Sequence, residues 1–109
     1  MALDIEEVAK AMLAIARASL AKDWKKVSAY AEAEFRRLAQ SLEDIATATA
    51  NGKLDADEAA SLLRIHRNTT ITVLAAAKGM ALVAAERAVN DAIAVVKTVV
   101  NKAAGATIL

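Results

Sequence analysis

The chain has 109 residues, enough for one modest domain, and its charge is nearly balanced at +1. It contains no Cys, which excludes disulfides, thiolate chemistry and cysteine metal sites. Eight basic and eight acidic residues fall up to Leu54 and six against five beyond it, so neither half offers the one-signed face that nucleic acid or an anionic membrane attracts.

The opening "MALDIEEVAK" puts acids where a secretory signal needs positive charge, so no targeting peptide is expected and a cytoplasmic setting fits. There is no Pro, there are three Gly, and 29 of the residues are Ala, the strongest helix former. Strand patterns are absent outside helical periodicity. The fold class expected is all-α.

Asp4 should cap the first helix, with Glu7 in the capping-box position. Ile5, Val8, Met12, Ala16 and Leu20 recur on one face. Asp23 is a weaker second cap before Trp24. Residues 20, 24, 27 and 31 keep one phase, so a kink at 22–23 competes with a break. The seam continues through Trp24, Val27, Ala31, Phe35, Leu38, Leu42 and Ile45 at near-heptad spacing. Tyr30, Glu34, Arg37 and Ser41 lie off its centre. This first arm covers 4–50.

"ATATANGKLDADEAA", residues 46–60, resembles half of a calcium-binding loop through Asp55 and Glu58. The first and third ligand positions fall on Thr47 and Thr49, which lack carboxylates. The stretch therefore reads as a turn over 51–54: Gly52 ends one helix and a capping box at Asp55 and Glu58 starts the next. No metal site is assigned.

The second arm covers 55–101. One stripe runs through Ala59, Leu63, His66, Thr70, Leu74, Ala77, Ala81, Ala85, Ala88, Ala92, Val96 and Val99 with a mean step of about 3.67 residues. Gly79 and Asn90-Asp91 are the expected kink points, and 102–109 should fray. His66 is the single histidine and has no second ligand, so zinc and di-iron chemistry have no donor set. Lys78 interrupts the most apolar run and reads as a snorkelling side chain. Glu32, Glu34, Glu43 and Asp44 sit beside basic residues at helical spacing and read as a solvated face. Lys25-Lys26, Arg36-Arg37 and Arg64/Arg67 are basic pairs interleaved with acids, which disfavours nucleic acid. No catalytic residue and no cofactor is assigned.

Residues 68–85 hold one charge, Lys78, near the centre of the run. A charge there is costly in a bilayer, so a buried helix is favoured over a spanning one.

"RIHRNTT", "GMALVAAERAVNDA" and the closing "VNKAAGATIL" resemble small all-helical proteins of unassigned function carried by phages and prophages. The resemblance implies a phage-associated accessory protein and brings no catalytic residues with it.

The expected architecture is a single domain: a long antiparallel helical hairpin, kinked into a four-helix-bundle-like arrangement. The apolar second arm exceeds what one hairpin seam can cover. A non-enzymatic self-association or assembly role follows, with a homo-oligomer as partner. Its face would be Leu74, Ala77, Ala81, Ala85, Ala88, Ala92, Val96 and Val99. The alternatives are a membrane-associated protein, holin-like or peripheral, and a bundle holding an apolar ligand around Leu74, Met80 and Val83.

Overall fold

Four α-helices account for most of the chain: α1 (Ile5–Leu20), α2 (Trp24–Ala50), α3 (Ala56–Ala75) and α4 (Leu82–Ala104), with a 3₁₀ turn at Ala21–Asp23 between the first two. The computed structural model describes residues 3–109. At 1.5 Å per residue α2 is about 40 Å long, and it sets the 42 Å length of a molecule 23 by 18 Å across. The radius of gyration, 13.5 Å, matches the value of about 13 Å for a compact chain near this length.

The helix ends follow local chemistry. Asp4 accepts from the Glu7 N–H at 3.2 Å and starts α1. At the 51–54 corner the Lys53 N–H reaches Ala48 O at 2.9 Å and the Gly52 N–H reaches Thr49 O at 3.1 Å. Gly52 at φ 75° supplies the left-handed residue this helix stop requires. Asp55 and Glu58 then close a reciprocal capping box, each carboxylate accepting the other's backbone N–H at 2.8 and 3.0 Å. The two acids that suggested calcium are thus committed to starting α3.

Successive helices reverse direction. Arg36 on α2 holds Glu6 on α1 at 2.8 Å, and Tyr30 and Glu34 on α2 meet Val73 and Thr70 on α3. Arg67 on α3 and Asn90 on α4 border the same recess. α1 packs on α2 and α4, α2 and α4 also meet, and α1 and α3 stay apart. The α1–α4 pairing is the most extensive. Ala16 on α1 and Ala85, Ala88 and Ala92 on α4 are all fully buried, and side chains this small permit close approach of helix axes. Phe35, Met12, Leu38, Leu42, Leu74 and Val27 fill the remaining interior.

Two arms, each kinked, were expected, and the chain breaks each one fully. At 22–23, where a kink competed with a break, the first arm breaks: it turns back at Ala21, whose φ is +51°, so the shared phase of residues 20, 24, 27 and 31 does not reflect one helix. Asp23 has helical backbone angles and makes no cap bond, because its carboxylate is held by Lys26 at 2.7 Å. The second arm reverses over 76–81 around Gly79, at φ +82°, while Asn90-Asp91 lie inside α4. The expected stripe from Ala59 to Val99 is therefore two separate helical faces. The tail does not fray from residue 102: α4 continues to Ala104, Gly105 ends it at φ 70°, and Ile108 is buried. Asn101 Oδ1 accepts the Ile108 and Leu109 N–H groups, both at 2.9 Å, and ties the tail back.

Among the described residues no helix is long and apolar enough to cross a membrane. The apolar run 68–85 is divided between the end of α3, the 76–81 turn and the start of α4.

Candidate functional site

The polar face of α2 is spent on fastening α3. Lys26 Nζ donates to Asp23 Oδ1 at 2.7 Å and to the Gly79 carbonyl at 3.0 Å. Tyr30 donates to the Val73 carbonyl at 3.3 Å, which the last turn of α3 leaves free because the Ala77 N–H bonds Leu74 O instead. Glu34 and Arg37 form an ion pair at 2.5 Å, and Thr70 joins both. Its hydroxyl accepts from Arg37 Nη2 at 3.2 Å and donates to Glu34 Oε1 at 3.1 Å. Thr70 is fully buried and Glu34 keeps 11% of its side chain exposed. The solvated-face reading of Glu34 is corrected on this ground: its carboxylate closes an interhelical network. The Glu34 hydrogen bond holds the Arg37 guanidinium above its ordinary value, against partial desolvation. The Lys26 hydrogen bond lowers the Asp23 carboxyl, assisted by the charges of Lys26 and Lys22.

The eight residues expected to form a self-association face do not share a surface. Leu74, Ala85, Ala88, Ala92 and Val96 lie in the core of this single chain. Ala77 and Ala81 sit in the turn, and Val99 is 46% exposed. The physical reason is α1: once it folds back, it covers the alanine side of α4. Leu74, Met80 and Val83, around which one alternative placed an apolar ligand, do not line a common cavity: Leu74 is fully buried while Val83 is 63% exposed. His66 is half-buried and Lys78 exposed. Among the described residues no cluster of three or more His, Asp or Glu could hold a metal ion.

Two features on α3 and α4 remain. The first is a set of exposed apolar side chains: Leu62, Ile65, Leu82, Val83, Val95 and Val99. The second is a cleft of about 320 Å³ between the outer faces of α3 and α4. Leu63, Ile93 and Ile108 give it an apolar lining, and Arg64, Arg67 and Lys97 stand around it. No Asp or Glu lines it. Whereas Lys26, Arg36 and Arg37 each have an acidic partner, none of the three cleft cations does among the described residues. Arg67 bonds only the Asn68 side chain, through Nε at 3.3 Å and Nη2 at 3.2 Å.

The chain matches no family model, no curated protein and no solved structure. Sequence reasoning found Arg64 and Arg67 as a pair but not Lys97, which is 30 residues away from Arg67. Arg64 and Lys97 are equidistant from a reversal near residue 80, and that symmetry is the signal that could have joined them. Thr70 carries a signal of burial, since it falls on the stripe with Leu63 and Leu74, but none of its bonding, and Thr69 and Thr72, off that stripe, bond only carbonyls of their own helix.

Proposed function

We propose that this chain is a non-enzymatic helical assembly protein, its four helices forming a four-helix-bundle-like unit that associates with further copies through α3 and α4. One observation carries the reading: among the described residues every large apolar side chain left substantially exposed lies between Leu62 and Val99, and none belongs to α1 or α2. Removing such side chains from water contributes about 25 cal/mol per Å². A second copy is the simplest partner, because identical faces meet about a twofold axis. Val95 and Val99, one helical turn apart on α4, form the contact expected to matter most. The phage-associated setting implied by the resemblance and a cytoplasmic location belong to the same proposal.

The test is light-scattering mass across a concentration series. The wild type should exceed the 11.4 kDa of one chain, and a Val95→Glu/Val99→Glu variant should return to it. A wild type that stays monomeric at several hundred micromolar overturns the proposal. Co-flotation of the wild type with liposomes instead would favour the peripheral membrane alternative, which draws on the same side chains.

A further inference from the structure

We propose that the α3–α4 cleft binds a single-chain amphiphilic anion, a long-chain carboxylate, with its head group at Arg64, Arg67 and Lys97 and its hydrocarbon along Leu63, Ile93 and Ile108. This inference stands on different residues from the assembly face and goes beyond it.

Charge is the first argument. Three cations border one cleft whose lining holds no Asp or Glu side chain, and none of them pairs with an acidic side chain among the described residues. Like charges gathered on a small surface repel one another, so an anion is stabilised there. Two of the three are arginines at i,i+3 on α3. The planar guanidinium of Arg64 presents paired donors that match a carboxylate, and Arg67, whose Nε and Nη2 hold Asn68, adds its charge.

Shape is the second. The volume of about 320 Å³ falls at the small end of the range of about 300–1,000 Å³ typical of small-molecule sites. A partner helix, about 10 Å across with its side chains, would need a longer open trough. This cleft is instead bordered by the folded-back tail, since Ile108 and Leu109 contribute to its lining. Asn101 fixes that tail through two backbone N–H bonds. Beyond Arg67 and Asn90 a second recess of about 300 Å³ continues along Ile71 and Thr72 to Glu86. The acid at that far side opposes an anion, which keeps the head group within the cation-bordered cleft.

Sodium tetradecanoate, kept below its self-association concentration, is the probe for calorimetry and native mass spectrometry. One molecule should bind per chain with Kd on the order of 10 µM. An Arg64→Gln/Arg67→Gln/Lys97→Gln variant should keep its helical circular dichroism and thermal midpoint while binding about a hundredfold more weakly. Ala94→Trp retains all three cations but fills the cleft, and should abolish uptake. Tetradecyltrimethylammonium and inorganic phosphate should each bind far more weakly than tetradecanoate. The proposal is overturned by any of four results: no uptake at about 1 mM, unchanged affinity in the triple variant or in Ala94→Trp, equal binding of the cationic amphiphile or of phosphate, or association with phosphatidylglycerol vesicles without binding of the free carboxylate.

Discussion

Replacing Thr70 by Val is the sharpest test of the α2–α3 fastening. The two side chains are nearly the same size, so the change exchanges a hydroxyl for a methyl inside a fully buried position. Two hydrogen bonds disappear: the one received from Arg37 at 3.2 Å and the one given to Glu34 at 3.1 Å. Hydrogen bonds to charged groups contribute roughly 1.5–3 kcal/mol each. The full sum does not apply, because Glu34 and Arg37 still hold each other and Arg37 is 40% exposed and can recruit water. The added methyl recovers about 0.8 kcal/mol of apolar burial. A net loss of about 1.5–2 kcal/mol follows, equivalent to a fall of roughly 10 °C in thermal midpoint for a domain of this size. Thermal and urea unfolding followed by far-ultraviolet circular dichroism measure it. Thr69→Val and Thr72→Val are the controls: each loses only a bond to its own helix, at 3.0 and 2.9 Å to Ile65 and Asn68 carbonyls, and should shift stability by less than about 0.5 kcal/mol. A Thr70→Val protein as stable as those controls would refute the network as a fastening.

Three other outcomes follow from the same geometry. Ala21→Gly should stabilise by about 1 kcal/mol in urea unfolding, since relief of the strain at φ +51° outweighs the extra chain entropy of glycine. Asn101→Ala removes the acceptor of two tail N–H groups; hydrogen exchange at Ile108 and Leu109 should rise at least about tenfold, matching the loss of roughly 1.4 kcal/mol of local protection. The Asp23 carboxyl is depressed below its ordinary 3.8 by the Lys26 hydrogen bond. Its contribution to stability is therefore complete above that ordinary value and is lost as pH falls through the lowered folded one. Asp23→Asn should flatten this part of the acid limb of a stability–pH curve, and an unchanged limb would count against the pairing.

Local signals were readable where a single residue type had to do a single job. Asp4, Gly52 and the Asp55–Glu58 box each meet a demand of the helix terminus, so the 51–54 corner was legible along with the all-helical class. The α1–α2 reversal was legible only as a choice between a kink and a break at 22–23. It contains neither Gly nor Pro, the apolar phase runs through it undisturbed, and its pivot is an alanine in a backbone region that disfavours alanine. Gly79 did announce itself, but as a kink, because a glycine gives permission to turn without fixing the angle. The angle comes from the packing of α4 on α1, α2 and α3, and Lys26, 53 residues away, holds the Gly79 carbonyl at the turn.

That open choice explains why the alanine face of α4 was assigned to a second copy. Read as a long hairpin, Ala85, Ala88 and Ala92 have no cover and must find it in another molecule. With α1 folded back, Met12 and Ala16 occupy the interior with them. The excess of apolar surface in the second half persists on a smaller scale and in other places: at Leu62 and Ile65, at Leu82 and Val83, and at Val95 and Val99. Small residues mark where helices come close, while large exposed ones mark where something is missing. Ala21→Gly separates these two roles. It should strengthen the fold-back of α1 without touching any exposed apolar side chain, so monomer stability should rise while the association constant stays the same. If association weakened as α1 docked more firmly, the alanine face of α4 would be serving the partner after all.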